Sequence, residues 1–432
     1  MRIVLLAFGS RGDIQPFLAL ASKLKDKEHT VTFAAPEVFR SMVEENQLKF
    51  TPLAGDPEEI SRLLNSAGEN LFQLARKLWR YALQVENEIV LSASLAIQDA
   101  DLLIHGFAFT DIGHQLATLR GIPDVSIQMF PSFAPTRSLP AVGHPTNMPG
   151  SINYFGHWFN AQVFRFIALI GKAFLNDEVK KLLPRSNPQP FELGCDQPPT
   201  PLLFAISPSV LGDPEEWRNR SIFTPGYFFL DEPDYDPPKE LKRFLEEGDP
   251  PICVTFGSMI NQDSPRVIKS ILAASDQLKL RVILISGWAN LPDDHPYQNV
   301  YLINAIPHSF IFPKCSTIIH HGGAGTTAAA ARSGKPQIII PHIGDQPFWS
   351  DRMYSLGVSS PPLKMKKIDS NMMVEALKFT TDPKIIAKAF ELGQKIASDD
   401  GLRTAIEIME KHYQDFKSQA LELDLSRRDL ES

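Results

Sequence analysis

Two stretches of the chain carry residues whose types and spacing suit chemistry. The first is "FGSRGDIQPF", which sets Asp13 between a short apolar run and a helical pattern. A carboxylate there repels phosphate, so Asp13 either caps a helix in solvent or meets something other than phosphate. The second is "IIHHGGAGTTAAAARSGKPQIIIPHIGDQPFWSDRM". Gly322, Gly323 and Gly325 let backbone approach a ligand closely, and Thr326 and Thr327 are expected to cap the helix that follows. Free N–H groups and the helix dipole then form an anion site suited to a diphosphate, to which His321 can donate. Some twenty residues on, Asp345 and Gln346 follow an apolar strand. A carboxylate beside an amide accepts from and donates to vicinal hydroxyls. A diphosphate site beside a hydroxyl site describes a sugar nucleotide. Taken singly, each stretch has a plain structural reading, as a glycine turn or a solvated turn.

The elements that must position these residues are legible as alternating apolar strands and amphipathic helices. "RIVLLAF", "HTVTFAA", "DLLIH" and "DVSIQMF" are strands of one series, and "PICVTFGS", "RVILIS", "NVYLIN", "STIIHH" and "PQIIIP" of a second. Continuous apolar strands between helices predict α/β architecture: two doubly wound parallel sheets, each covered on both faces. Ligands bind at the carboxyl edge of such sheets, so a cleft facing both edges is expected. The predicted organisation is a first domain over 1–228, a linker over 229–250 and a second domain over 251–400. A helix over 401–420 is expected to pack back on the first domain, with a fraying charged tail over 421–432. The linker is read from the prolines and acids of "DEPDYDPPKELKRFLEEGDPP". Its "DYD" has the spacing of a metal-binding pair, but among prolines it reads as solvated, and no metal site is expected. Residues 131–150 form a long loop. "NYFGHWFNAQVFRFIALIGKAFLNDEVKKLL" is helical in spacing and rich in aromatics: a core or domain-face helix, or one that lines an apolar pocket or touches a membrane surface.

Bulk properties exclude several classes. The net charge of −7 lacks the basic footprint of a nucleic-acid binder. Cys195, Cys253 and Cys315 are far apart, which gives neither a disulfide framework nor a zinc site. No apolar run reaches the roughly 20 residues that span a bilayer, and the opening run is interrupted by Gly9 to Asp13, unlike a signal peptide. The expectation is a cytoplasmic protein, open to peripheral contact with a membrane. There is no GxGxxG after the first strand and no GxxxxGK[ST], which disfavours a nicotinamide oxidoreductase and a P-loop kinase.

With these motifs in their order and spacing, the chain resembles family 1 glycosyltransferases of the GT-B fold, closest to the branch of sterol glucosyltransferases and antibiotic glycosyltransferases. The resemblance runs from "FGSRGDIQP" through "HHGGAGTTAAAARSGKPQIIIPHIGDQPFW" and is thin between about Pro131 and Gly226. It implies inverting transfer of a hexose from a UDP- or dTDP-sugar to a hydroxyl of an apolar acceptor such as a sterol, carotenoid or other aglycone, with no cofactor beyond that co-substrate. It assigns His321, Gly323, Gly325 and Thr326 to the donor diphosphate, with Gly257 and Ser258 as a further phosphate-contacting pair. Asp345 and Gln346 fall on the sugar hydroxyls, and backbone at Ala305 and Ile306 on the base. Plant members carry tryptophan where this chain has Ala305, so stacking on the base is not expected. Asp13 falls where the branch places its general base; Arg11 could lean toward the diphosphate. Asp111 and His114 are the next candidate proton acceptors. The rival readings are a catalytically silent homologue that binds a lipid or a partner, and a sugar-nucleotide epimerase.

Overall fold

The computed structural model describes residues 1–66, 71–146, 148–183, 200–218, 220–230, 235–257, 263–285 and 299–431. Cys195, Asp234 and Ser258 lie outside them. The chain divides into two units, one made of Met1–Ala141, Asn147–Leu230 and Asp400–Ser432, the other of Val142–Thr146 and Asp231–Asp399.

The first unit is built on a parallel sheet of β1 (Arg2–Leu6), β2 (Thr30–Pro36), β3 (Lys49–Leu53), β4 (Leu102–His105), β5 (Asp124–Gln128), β6 (Leu202–Phe204) and β7 (Ile222–Phe223). Their order is β3-β2-β1-β4-β5-β6-β7. Ile3, Leu5 and Ile104 are buried on one side of the sheet, and Val4, Leu6 and Leu103 on the other, which is why these strands read as unbroken apolar runs. The order reverses between β1 and β4, so the loops after these two strands diverge and leave a crevice at their carboxyl ends. Asp13 follows β1, and Phe107 follows β4.

The second unit carries β8 (Ile252–Thr255), β9 (Val282–Ile285), β10 (Val300–Ile303), β11 (Thr317–His320) and β12 (Gln337–Ile339). All are parallel, in the order β10-β9-β8-β11-β12, with the reversal between β8 and β11. Gly257 and the His321–Gly325 loop follow those two strands. Helix Ala324–Arg332 packs close because its inward residues are alanines; Ala330 and Ala331 are buried.

Three features depart from the expectations. The stretch read as a linker holds helix Lys239–Glu246, whose Leu241 is buried in the second unit's core beside Cys253, Phe312 and Ile318. Tyr235 packs edge-on against Phe310 at 5.1 Å. The prolines start this helix rather than free the chain: Pro238 sits at its N-cap position. The tail expected to fray continues helix Gly401–Glu431 without a break. That helix returns to the first unit, burying Ala405, Ile406 and Met409 in its core, with Glu410 3.2 Å from His29 and 3.5 Å from Lys27. Strands β3, β6 and β7 and helices Pro57–Ser66 and Leu71–Ala96 were not expected. β3 contains Pro52, which an edge strand tolerates, and β6 and β7 are too short to show a period.

Candidate functional site

Asp13 stands in the first turn of helix Arg11–Asp26, three residues beyond the N-cap Ser10. One carboxylate oxygen, Oδ2, accepts from the Ser10 backbone N–H at 2.7 Å and from the Ser10 hydroxyl at 2.8 Å. This is the return half of a capping box. Gly9 makes it fit: at φ +139° it takes a conformation that side chains rarely adopt, and a Cβ there would lie 2.5 Å from Asp13 Oδ2. Asp13 is therefore both a capping residue and a wall of a pocket. Phe8, Phe17, Gly106, Phe107, Met129 and Phe130 line that pocket with it, a small recess partly open to solvent. Phe107 is braced by Phe130 at 5.0 Å and stacked on Phe133 at 5.5 Å. Burial among these rings pushes the Asp13 carboxyl above its ordinary value, against the two Ser10 bonds that pull it down. A carboxylate so placed is a stronger base than one in water, and it stands beside aromatic rings rather than beside a cation.

The carboxyl edge of the second sheet brings the other candidates together. Ala305 is exposed just after β10, and Ile306 turns its side chain into the core. Next along the edge come Gly257 after β8, the glycine loop after β11, and Asp345 and Gln346 after β12. At about 4.8 Å per strand, the four steps from β10 to β12 span roughly 19 Å. Gly257, at φ +58°, would bring a Cβ to 3.5 Å from His321 Cε1, so the two loops touch. A Cβ on Gly323 would meet His321 Nε2 at 2.6 Å, and one on Gly322 would meet Ile339 at 2.8 Å and the Gln346 carbonyl at 3.2 Å. The glycines thus clear room for the imidazole and for the Asp345–Gln346 turn. Gly323 is the N-cap of helix Ala324–Arg332, and Thr327 N–H makes the first backbone bond, to the Gly323 carbonyl. The preceding N–H groups of Ala324, Gly325 and Thr326 point out of the first turn, an anion site.

The histidines of this edge differ in role. His320 is fully buried, takes the Gly322 N–H on Nδ1 at 3.1 Å and donates from Nε2 to Gln337 at 2.9 Å. It fixes the glycine loop. His321 Nδ1 and both ring nitrogens of His342 are buried without a partner among the described residues. His342 stacks on Phe256 at 5.8 Å and lies 6.4 Å from His321. Orphaned ring nitrogens next to an open helix N-terminus fit a polar ligand there. Burial lowers His320 and His342 to about 4 and His321 to about 3. At neutral pH His321 is an uncharged imidazole that gives one hydrogen bond.

The acidic pair is also more constrained than a solvated turn. Asp345 Oδ2 accepts from the buried Trp349 indole at 2.7 Å. Gln346 is buried, and its carbonyl accepts from the His342 and Ile343 N–H groups at 2.7 and 3.1 Å. Two donors on one oxygen orient the amide.

Several expectations need correction. Thr326 and Thr327 do not cap the helix; Gly323 does, because the helix begins earlier, and Thr327 is buried inside it. His114 is not at the pocket. Its Nδ1 lies 3.0 Å from Asp124, which also meets His105 Nε2 at 3.0 Å in a buried network that keeps Asp124 ionised. Asp111 accepts from Gln115 at 2.8 Å and does not line the pocket. Arg11 is exposed at the start of its helix, with no ion pair to any described residue. Ser258, the partner of Gly257, is not described. Ser10, His320 and His342 are functional-site residues that sequence reasoning missed. Only the serine had a signal, in the S-x-x-D spacing of a capping box.

Comparison with known proteins agrees with this architecture. Residues 3–108 match the glycosyltransferase family 28 N-terminal domain, and residues 277–411 match the erythromycin biosynthesis protein CIII-like C-terminal domain. A sterol 3-beta-glucosyltransferase of Arabidopsis thaliana is 30% identical over 95% of this chain and 66% of its own length. O-mycaminosyltylonolide 6-deoxyallosyltransferase of Streptomyces fradiae is 29% identical over 95% of this chain and 97% of its own. A sterol 3-beta-glucosyltransferase of Yarrowia lipolytica is 32% identical, and the chain spans only 28% of that relative's length. In fold, the kitacinnamycin glycosyltransferase superposes with TM-score 0.71 over 95% of this chain and 99% of its own at 17% identity. The glycosyltransferase VinC in complex with DTDP gives 0.63 over 96% and 100%, at 17% identity. The chain belongs to the GT-B glycosyltransferases, in the branch that holds sterol glucosyltransferases and antibiotic glycosyltransferases.

The buried histidines set an acid limit on the second unit. An unfolded histidine binds a proton near pH 6.5, whereas these bind one only near 4 or 3. Acid therefore favours the unfolded chain, and stability drops as pH falls from about 6.5 toward 4. In an NMR titration the His321 ring should stay neutral down to about pH 4; a ring that titrates near 6.5 contradicts this assignment.

Proposed function

We propose that the protein transfers a hexose, with glucose the leading candidate, from a UDP- or dTDP-sugar to a hydroxyl of an apolar acceptor such as a sterol, a carotenoid or another flat aglycone. The observation that carries this reading is Asp13 on the wall of an aromatic pocket, one oxygen held by Ser10 and its carboxyl pushed up by burial. The acceptor hydroxyl gives its proton to that carboxylate as its own oxygen attacks the anomeric carbon. The bond from that carbon to the diphosphate breaks on the opposite face, so the product has inverted configuration and the nucleoside diphosphate leaves.

On the donor side, the order of loops along the second sheet supports base at Ala305 and Ile306, diphosphate at Gly257, His321 and the Gly323–Thr326 turn, and sugar at Asp345 and Gln346. The N–H groups of the helix N-terminus and His321 meet the diphosphate charge, so no divalent ion is required. The names of the relatives, sterol 3-beta-glucosyltransferase among them, favour an apolar acceptor. A sugar-nucleotide epimerase has no use for an aromatic pocket beside a base. A silent binding homologue has no use for a desolvated carboxylate.

Asp13→Asn tests the reading. The amide keeps the volume and its oxygen can still take both Ser10 bonds, so melting and nucleotide affinity stay as in the wild type. General-base catalysis contributes roughly a hundredfold to ten-thousandfold, and transfer should fall by that much. Transfer within a few-fold of wild type would assign Asp13 to capping alone.

On the donor side, His321→Ala removes a hydrogen bond to a charged group, worth about 1.5–3 kcal/mol. Calorimetry should show nucleotide affinity down by about tenfold to a hundredfold. Asp345→Ala and Gln346→Ala should instead weaken the sugar nucleotide more than the free nucleotide. Equal losses for both ligands would remove the hydroxyl role, and activity lost to a chelator and restored by manganese would overturn metal-free donor binding.

A further inference from the structure

Among the described residues, His342 is the one imidazole whose two ring nitrogens are both buried and unpaired. Histidines buried elsewhere in the fold have partners. His320 uses both nitrogens, His105 meets Asp124 at 3.0 Å, and His157 donates to the Leu139 carbonyl at 3.2 Å. A buried polar atom without a partner costs stability, and an apolar side chain of the same shape would avoid that cost. Proteins keep such local conflicts where function needs the group. The residue is also held in place. Its ring stacks on Phe256 at 5.8 Å, and its backbone N–H is one of the two that hold the Gln346 side-chain carbonyl.

The surroundings point to one part of one kind of ligand. Asp263, at the N-cap position of helix Ser264–Gln277, is near enough to act on the ring's charge, but it is paired with Arg266 at 3.0 Å. Burial keeps the ring neutral at pH 7, so one nitrogen donates and the other accepts. A half-turn of the ring about its Cβ–Cγ bond exchanges nitrogen and carbon positions without changing its plane or volume. The ring can therefore offer a nitrogen on its other edge with the Phe256 stack intact. Two neighbours fix its place: His321, 6.4 Å away, carried by the glycine loop, and Gln346, bonded to the same turn. An ionised diphosphate only accepts hydrogen bonds, whereas a sugar hydroxyl also donates them. The junction of diphosphate and sugar is the part of a sugar nucleotide that offers both partners.

We propose that His342 is a donor-binding residue at that junction: its ring N–H goes to the phosphoryl group that carries the sugar, and its second nitrogen takes a hydroxyl of the sugar. This rests on the donor reading given above and adds a residue to it. His321 and His342 then act as two neutral imidazoles side by side, one from the glycine loop and one from the turn that ends in Asp345 and Gln346.

The test compares the full chain with His342→Phe, which keeps the stack on Phe256 and removes both nitrogens, and with His342→Leu, which removes them in a smaller side chain. Melting is read beside calorimetry with UMP, dTMP, UDP, dTDP and UDP-glucose. The Phe variant should melt at or above the wild-type temperature, because unpaired buried nitrogens are gone. Its affinity for UDP or dTDP should fall by about tenfold or more, the loss of one hydrogen bond to a charged group, and that for UDP-glucose by at least as much. UMP and dTMP, which lack the second phosphoryl group, should bind as they do to the wild type. Diphosphates bound as tightly by the variant as by the wild type overturn the proposal. So does an equal loss for UMP and UDP, which would mean a general distortion of the edge. Phe and Leu variants that both melt well below the wild type show that the nitrogens have a structural role, and this also overturns it. A wild-type protein that binds none of these nucleotides and transfers no sugar removes the donor reading and His342 with it. A wild type that binds and transfers, matched by both variants, removes His342 alone.

Discussion

One oxygen of Asp13, held by the N–H and hydroxyl of Ser10, ties the fold of the first unit to its chemistry. The bonds cap the first helix, and in doing so they fix the carboxylate at the carboxyl end of β1, where the strand order reverses. Gly9 is the condition for this, since any side chain there would strike Asp13. The other oxygen has no hydrogen bond to a described residue, and Asp13 lines the aromatic pocket. The same residue is usually considered for one role or the other, and here a single geometry fills both. Desolvation by the surrounding rings raises the carboxyl while Ser10 lowers it, so the basicity of Asp13 is set by the balance between pocket and cap.

The second unit repeats the logic with different chemistry. Its edge is organised from beneath by buried groups: His320 fixes the glycine loop through Gly322, Trp349 orients Asp345, and the turn at His342 and Ile343 orients Gln346. What is left toward the ligand side is a helix N-terminus and a neutral imidazole, beside the buried, oriented amide of Gln346. These are polar without being cationic, which suits a ligand that carries its charge at the diphosphate and hydroxyls at one end. The Cβ clashes at Gly322 and Gly323 show why the motif requires glycine there: the space is already taken by Ile339, Gln346 and His321.

Much of this was legible in the sequence because buried parallel strands write themselves as continuous apolar runs, and nine of the twelve strands among the described residues are found that way. The motif residues were legible because close backbone approach demands glycine and because Asp345 and Gln346 follow a strand. The rest was hidden for physical reasons. His320 looks like its neighbour His321, and only burial separates the one that holds the loop from the one that faces the ligand site. The helix start at Gly323 was misplaced because threonine is the stronger capping residue, yet the tight approach at this loop decides the boundary. Prolines beside acids suggested a linker, but Leu241 and Tyr235 have partners in the second unit that no local pattern reveals. Helix Gly150–Phe174 had two readings in sequence, and its exposure decided that one face is core and the other is not.

The coupling of cap and base can be measured directly through the pH dependence of kcat/KM in the wild type and in Ser10→Ala. The acid limb of the wild-type profile should lie above the ordinary aspartate value of about 4. Removing the hydroxyl takes away one bond that stabilises the charged carboxylate, so in Ser10→Ala the acid limb should move to higher pH, with the plateau rate retained. An acid limb that stays where it was after Ser10→Ala would mean that the titrating base is not the carboxylate Ser10 holds, and the account would fail at its centre.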